Sequence, residues 1–315
     1  MSSSLYETQK ITKLIIEYQD KRFDDLKNGK EIETFFGTCY RFRYHQKLEI
    51  KTLKEKMVRN KILGDLTLLK GIGESKEKKL KKNGFITIED LTEHPYFMEA
   101  ATEVLEIIDK NDLSLLSSII SKRYSQSHPL QLYLSCISGT NNLLFMDIET
   151  LGLRYKPLIL IGIAETTEKG LIINQYLLRN LKEEIAVLDA FNSHLEDDIV
   201  FVTFNGRNFD LPFIESRLLF HGIKNKLKKP HLDLLHFSRR QWKSQLPNCR
   251  LKTLEKHLFG VERDDDIPSS LIPNFYHSYL KTGNIGPLVP ILEHNREDVI
   301  TLAKIMTCLT QNFSF

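Results

Sequence analysis

The sequence predicts an α/β fold in which a mixed, five-stranded sheet is flanked by helices and preceded by a mainly helical N-terminal region. Short apolar runs typical of strands are concentrated after residue 140, and amphipathic helical patterns alternate with them. The chain has 315 residues, of which 41% are hydrophobic and 27% charged. This length and composition suffice for one large domain or for two domains with their own cores.

Composition and cysteine spacing exclude several classes of protein. No apolar run approaches the about 20 residues that span a bilayer, and the first ten residues lack the pattern of a signal peptide. We therefore expect a cytoplasmic protein without a membrane partner. The absence of CxxC spacing argues against a zinc or iron–sulfur site and favours reduced thiols. The cysteines are Cys39, Cys136, Cys249 and Cys308.

The first part of the chain carries mostly helical patterns. The aromatic stretch at 34–45 alternates as a strand or an extended arm would, and residues 61–125 contain short helical patterns. A segment rich in Ser, Asn and Gly then precedes the first apolar strand. We place a domain boundary there, which divides the chain into 1–135 and 136–315.

The second part alternates strands and helices. Three strand patterns follow one another at hairpin spacing, and then helix, strand, helix, strand and closing helices complete the order. The strand patterns are LLFMDIET, LILIGIAETT, LIINQYLLR, DIVFVTFNG and HLDLLHF. This order predicts a sheet of mixed direction with helices on its faces.

Positive charge is concentrated near the N-terminal region. Between Arg41 and Lys82, fourteen Lys and Arg residues stand against five acidic ones, on a chain whose net charge is only +3. A basic segment of this kind can contact phosphate backbones, because each neutralised phosphate releases counterions. It can equally be a solvated helical face, and charge alone leaves both interpretations open.

A glycine turn at Gly71 and Gly73 lies within that basic segment, between two helical patterns. Glycines let the backbone approach a ligand closely, and the free N–H groups at a helix start attract an anion. The segment near 64–95 resembles the helix-hairpin-helix module of DNA repair and recombination proteins, which implies sequence-independent contacts to a nucleic-acid backbone. The alternative is a hairpin used for packing or protein contact. The candidate contact residues are Gly71, Gly73, Ser75, Lys76, Lys78 and Lys79.

Two acids end the first strand of the second part. Asp147 and Glu149 are two residues apart, so in a strand their side chains project from the same face. Adjacent buried carboxylates are costly unless a cation lies between them, and oxygen ligands suit magnesium or manganese. A DxE pattern also occurs in ordinary turns, so other acids must converge on this pair.

Further acids occur in comparable contexts. Asp210 follows a strand and starts a helix, where it could be a metal ligand or simply a helix cap. His294 and Asp298 are four residues apart, so they share one face of the last helix, where they could also be a surface pair.

The order D-x-E, N-x-x-x-F-D and H-x-x-x-D resembles the DEDD superfamily of 3′→5′ exonucleases, which have a ribonuclease H-like fold. The stretches at 231–242, 246–268 and 273–284 are similar to the YprB-type ribonuclease H-like exonuclease family. Together these similarities cover nearly all of residues 140–315. Four acids in three ordered motifs are far more specific than any one of them.

The resemblance implies particular roles for these residues. Asp147, Glu149, Asp210 and Asp298 would hold two Mg²⁺ or Mn²⁺ ions, and His294 would orient or deprotonate the attacking water. Apart from the resemblance, we expect Asn205 either to hydrogen-bond the substrate or to brace Asp210, and both alternatives stay open. The spacing departs from the family, because the histidine subgroup has four residues between this histidine and the last aspartate, whereas this chain has three. The reach of His294 is therefore open.

Asp233 and the acidic loop at 264–266 are not expected to bind the metal ions. Asp233 lies on a strand pattern, where a structural role is expected, although it could be a fifth acid near the metals. The acidic loop at 264–266 is expected to be solvated.

The function expected from these features is metal-dependent 3′→5′ exonucleolytic hydrolysis of DNA, with a single strand bearing a free 3′ end as the partner. Two alternatives stay open, namely a non-catalytic DNA-binding adaptor with the same fold and a structure-specific endonuclease. The oligomeric state is not predicted.

Overall fold

A seven-stranded mixed sheet organises the computed structural model, which describes residues 3–137, 139, 142–153, 156–263 and 265–312. The strand order is β1-β2-β5-β4-β3-β6-β7, in which β3, β6 and β7 run parallel and all other neighbours are antiparallel. The strands are β1 (Gly29–Thr34), β2 (Gly37–Gln46), β3 (Leu143–Thr150), β4 (Leu158–Thr167), β5 (Gly170–Leu177), β6 (Val200–Thr203) and β7 (His231–Asp233).

Helices cover both faces of this sheet. Helices α2 to α6 belong to the N-terminal region, and α7 to α12 alternate with or follow the later strands. The helices are α1 (Ser3–Glu17), α2 (Glu55–Leu63), α3 (Glu74–Lys82), α4 (Met98–Asp109), α5 (Leu113–Arg123), α6 (Pro129–Ile137), α7 (Glu184–Asn192), α8 (Asp210–Phe220), α9 (Leu234–Trp242), α10 (Leu251–Phe259), α11 (Ile272–Thr282) and α12 (Val289–Asn312). None of these helices is long and apolar enough to cross a membrane.

The α/β fold and its five predicted strands, β3 to β7, are confirmed in the predicted order. The sheet nevertheless has two more strands than predicted, because residues 29–46 form the hairpin β1–β2, which pairs with β5. Burial of Cys39, Tyr40 and Phe42 explains this pairing, since strand β2 adds an apolar face to the sheet edge. The region predicted as helical over 1–135 is thus mainly helical, with one hairpin that belongs to the sheet.

The N-terminal helices share a hydrophobic cluster with the sheet. Ile62 and Ile88 of that region lie in the same cluster as Phe145 of β3 and Ile305 of α12. Side chains alternate along β3, so Leu144 faces a second cluster on the opposite face. A domain boundary between residues 135 and 136 stays a prediction.

Three paired residues of β3, β4 and β5 form a row across the centre of the sheet beneath α12, and two of them have polar side chains. Asp147 of β3 pairs with Gly162 of β4, which pairs with Gln175 of β5. Asn295 of α12 lies over this row and is fully buried. A Cβ atom added at Gly162 would lie 2.0 Å from Asn295 Oδ1. The glycine therefore allows the helix to approach the sheet closely enough for its polar side chains to reach Asp147.

We expect Gly162→Ala to lower the free energy of unfolding by about 1–3 kcal/mol, because the added methyl group overpacks the contact between α12 and β4. Urea unfolding followed by circular dichroism measures this effect. Gly73→Ala is the matched control, since an added Cβ there meets no atom within 4 Å. Equal destabilisation by both substitutions would contradict this account of the helix contact.

Candidate active site

A cleft of about 420 Å³ opens where β3 ends, between the loop after β6 and helix α12. Six of the residues predicted from the sequence line it, and all of them come from the second part of the chain. They are Asp147, Glu149, Asn205, Asp210, His294 and Asp298. The structure thus brings the three sequence motifs together in one cavity.

Asp210 connects helix α8 to strand β3. It is the first residue of α8 and is 5% exposed, and its Oδ1 accepts a hydrogen bond of 3.2 Å from the backbone N–H of Ile148. Ile148 lies between Asp147 and Glu149. This bond therefore fixes the third acid beside the first two.

Asn295 fixes the side chain of Asp147 from above. Its Nδ2 donates to the carbonyl oxygen of Asp147 at 3.2 Å and to Asp147 Oδ2 at 2.9 Å. Its own Oδ1 accepts a hydrogen bond of 2.8 Å from Gln175 Nε2, which defines the orientation of the amide. The carboxylate of Asp147 is consequently tied to α12 through a buried polar contact.

His294 faces the carboxylates although its spacing departs from the family pattern. Its Nε2 lies 3.6 Å from Asp298 Oδ2 and 3.9 Å from Glu149 Oε1, and 3.2 Å from Ser269 Oγ. Its Nδ1 lies 2.7 Å from Asp266 Oδ1. The ring is 3% exposed, so contacts on both nitrogens hold it in one orientation.

Asp266 differs from the solvated acid expected in the loop at 264–266. Its side chain is 8% exposed, and Lys252 Nζ lies 2.7 Å from its Oδ2. Burial alone would raise its pKa, but the hydrogen bond and charge of His294, followed by those of Lys252, lower it to about 2. The expectation is wrong for Asp266 because the loop folds back onto α12; Asp264 lies outside the described residues.

Arg263 neutralises Asp298. Its Nη1 lies 2.6 Å from Asp298 Oδ1, and its Nη2 lies 2.5 Å from Glu255 Oε1. Burial would lower the pKa of the guanidinium, but Asp298 and Glu255 raise it, so this cation keeps its charge. A charged side chain therefore lies directly behind the last acid of the motif.

The carboxyl groups of the cleft all have raised pKa values. Burial is the first cause at each of them, and for Asp147 and Glu149 the charges of neighbouring carboxylates are the second. The pKa of Asp210 is raised to about 7, and that of Asp298 is raised although Arg263 and His294 oppose the shift. Like charges held together in a buried place create a demand for protons or cations.

The predicted nucleic-acid contacts at the glycine turn lie outside this cleft. Gly71, Gly73, Ser75 and the three lysines are exposed, and Gly73 caps the start of α3. Lys76 Nζ donates to the carbonyl oxygen of Gly71 at 2.7 Å. The segment before the turn is a short 3₁₀ turn at Leu66–Leu68 rather than an α-helix.

Asp233 holds the loop after β6 instead of lining the cleft. Its Oδ1 accepts hydrogen bonds from the N–H groups of Asn205 at 2.8 Å and Leu235 at 3.1 Å. It therefore begins helix α9 and supports Asn205, whose backbone has a positive φ of 65°.

Sequence reasoning missed three residues that hold the site, namely Arg263, Asp266 and Asn295. Arg263 and Asp266 belong to the sequence VERDDD, whose mixture of charges is also typical of a solvated loop. Asn295 follows His294 directly, and a polar residue on the apolar side of the last helical pattern was the available signal.

Comparisons with known proteins agree with this geometry. The family model RNase_H_2, of the RNase_H superfamily, matches residues 144–310, which is more than half of the chain. The chain therefore belongs to the RNase H superfamily, the class of nucleases to which its fold and acidic cleft point.

Within that superfamily the chain is similar in sequence to a bacterial protein named YprB. It is 35% identical to "Uncharacterized protein YprB" of Bacillus subtilis over 172 residues, which cover 52% of this chain and 41% of that protein. It is also 41% identical over 61 residues to the catalytic subunit of DNA polymerase epsilon from Kluyveromyces lactis, covering 19% of this chain and 3% of that protein. The chain thus spans less than half the length of these curated relatives.

A solved structure of the family B DNA polymerase from Pyrobaculum calidifontis matches with a TM-score of 0.40 and 14% identity. The match covers 51% of this chain and 24% of that chain.

RNase H-like nucleases generally use divalent metals, and the donors of the cleft fit such ions by their chemistry. Among the described residues, no group of three His, Cys, Asp or Glu side chains stands in a geometry that could hold a metal ion. The oxygen donors are nevertheless those that a hard cation prefers, and burial together with the neighbouring carboxylates raises the pKa values of Asp147 and Glu149.

The raised pKa of Asp210 predicts that stability falls as pH rises. Its folded pKa is about 7 against an ordinary value of 3.8, so its contribution is complete below pH 3.8 and lost as pH rises through 7. With a chelator present, unfolding free energies measured from pH 5 to 8 should therefore fall by about 2–3 kcal/mol more in the parent than in Asp210→Asn. Parallel pH profiles of the two proteins would contradict the shift.

Proposed function

We propose that this protein is a metal-dependent 3′→5′ exonuclease that hydrolyses DNA, with single strands as its first substrate. The observation that carries the proposal is the convergence of Asp147, Glu149, Asp210 and Asp298 on one cleft of an RNase H-like fold. The local similarity to the catalytic subunit of a DNA polymerase supports DNA as the substrate class. The 3′→5′ polarity rests on the resemblance of the three motifs to the DEDD exonucleases.

The four cleft acids are the residues that would hold two Mg²⁺ or Mn²⁺ ions. Bound there, such ions supply Lewis acidity toward phosphate oxygens and lower the pKa of a bound water. Asn295 holds the carboxylate of Asp147, and the backbone of β3 holds that of Asp210, so hydrogen bonds fix the orientation of both.

His294 is the residue proposed to accept the proton of the attacking water. Asp266 occupies the Nδ1 side of the ring, and Nε2 faces Ser269, Glu149 and Asp298. An imidazole that donates its Nδ1–H to a carboxylate can accept a proton only at Nε2. This arrangement supports a base role despite the shorter motif spacing.

Apolar walls beside the acids suit the base and sugar of a terminal nucleotide. Phe204, Phe209 and Leu153 line the same cleft as the carboxylates, and Leu153 is 78% exposed. Aromatic faces stack on bases without demanding a particular sequence. Asn205 lies among them and is proposed to hydrogen-bond the substrate.

We expect Asp147→Asn and Asp210→Asn each to reduce manganese-dependent degradation of single strands at least about 1,000-fold, because each removes a charged donor from the site. The measurement is the release of nucleotides from strands labelled at the 5′ or the 3′ end. Asp197→Asn is the matched control, since that carboxylate is fully exposed on a surface loop. Parent-like digestion by either site variant would refute the assignment.

Two alternatives predict different outcomes with the same materials. A non-catalytic DNA-binding adaptor would show no carboxylate-dependent uptake of manganese in calorimetry. A structure-specific endonuclease would cut a circular single strand, which has no end for an exonuclease to attack.

The exposed lysines of α3 are proposed to contact the nucleic-acid backbone. In an Asp147→Asn background that prevents cleavage, Lys78→Gln combined with Lys79→Gln should weaken binding to single strands about 3- to 10-fold. The salt dependence of log K should become shallower by about 0.7 for each phosphate contact removed. Fluorescence anisotropy over a range of salt concentrations measures both quantities.

Lys169→Gln serves as the control for this experiment. Lys169 is exposed in the turn between β4 and β5, at the end of the sheet opposite to Asp147 and Glu149. If the lysine pair and this control had equal salt slopes, α3 would not be the contact surface.

A further inference from the structure

Arg263 connects the loop after α10 to helix α12. Its side chain is 8% exposed and is surrounded by the carboxylates of Glu255, Asp266 and Asp298. It does not line the cleft that holds the motif acids. The residue therefore lies behind the proposed metal site rather than in it.

The guanidinium of Arg263 contacts α10 through two of its nitrogens and α12 through the third. Nε and Nη2 both donate to Glu255 Oε1, at 3.1 and 2.5 Å, and the hydroxyl group of Thr301 donates to the same oxygen. Glu255 is 3% exposed and lies on α10. These contacts fix the plane of the guanidinium, because a two-nitrogen contact restricts rotation more than a single bond does.

The remaining nitrogen, Nη1, reaches α12. It lies 2.6 Å from Asp298 Oδ1 and donates to the carbonyl oxygen of His294 at 3.4 Å. The other oxygen of the same carboxylate, Asp298 Oδ2, lies 3.6 Å from His294 Nε2. Arg263 thus binds one oxygen of Asp298 and leaves the second beside the proposed base.

We propose that Arg263 is a positioning residue, which holds Oδ1 of Asp298 so that Oδ2 faces the cleft in a fixed relation to His294. This inference rests on the proposed metal-dependent nuclease function. It assigns Arg263 an action through Asp298, without contact to substrate or water. It also explains how a histidine only four residues from the aspartate can share the site with it, since both are held from behind by one cation.

The opposite role would be competition, in which Arg263 repels the metal ions or occupies their ligand. The arrangement of charges argues against that role. Glu255 and Asp266 also lie at 2.5 and 3.6 Å from the guanidinium, so these two carboxylates offset its charge. Since only one oxygen of Asp298 is engaged, the loss of orientation should outweigh the relief of repulsion when Arg263 is removed.

Manganese binding by the full chain tests the inference, using calorimetry and electron paramagnetic resonance without nucleic acid. We expect Arg263→Gln combined with Glu255→Gln to weaken manganese binding about 10- to 100-fold. The second substitution removes the carboxylate that would otherwise be buried without its cationic partner, with only the hydroxyl group of Thr301 bonded to it. Arg263→Lys keeps the charge but lacks the guanidinium fork, the planar set of N–H donors that contacts Glu255 and Asp298 together. It should give an intermediate affinity for manganese.

Lys256→Gln is the matched control and should bind manganese as the parent does. It removes a neighbouring cation of α10 whose pair with Glu262 is more than 60% exposed on both sides. Circular dichroism and thermal unfolding in a chelator establish that each variant is folded.

The outcomes separate the inference from the function on which it rests. Unchanged or tighter manganese binding by the double variant would overturn positioning by Arg263, and tighter binding would indicate competition. Parent-like binding by Arg263→Lys would show that charge alone suffices, which also overturns the role of the fork. If the parent itself took up no manganese, the proposed nuclease function would fail instead.

Discussion

Asn295 fixes the rotation of α12 over the sheet, and the positions of His294 and Asp298 follow from that rotation. Its amide bonds Asp147 on one side and Gln175 on the other, in the space that Gly162 leaves above the central row. Successive residues of a helix are about 100° apart around the axis, so a slip of one residue would turn both side chains away from the acids. Such a slip is costly because it would break the buried hydrogen bonds that the amide of Asn295 makes to β3 and β5.

The resulting site concentrates negative charge that its surroundings only partly offset. Arg263 and Lys252 pair with Asp298 and Asp266, whereas Asp147 and Glu149 line the cleft itself. Burial and mutual repulsion therefore raise the pKa values of the inner carboxyl groups. A cation bound among these carboxyl groups would compete with protons for the same oxygens.

Local patterns predicted the parts of the site that lie within single elements. The period of two placed Asp147 and Glu149 on one face of β3, and the period of the helix placed His294 and Asp298 on one face of α12. Arg263 and Asp266 could not be placed in this way, because a loop without periodicity carries them to α12. The pairing of β2 with β5 likewise joins residues far apart in sequence, which alternation alone does not specify.

The alternation along β3 has a further consequence for the arrangement of the chain. Leu143 and Phe145 pack in one cluster with the N-terminal helices, and Asp147 and Glu149 follow them on that same face. The proposed nucleic-acid surface on α3 is therefore connected to the cleft by a continuous hydrophobic core. Ile62, Leu80 and Ile88 anchor that region to the core of the sheet. Packing therefore fixes the distance that a nucleic-acid strand bound by the lysines of α3 would span to reach the acids.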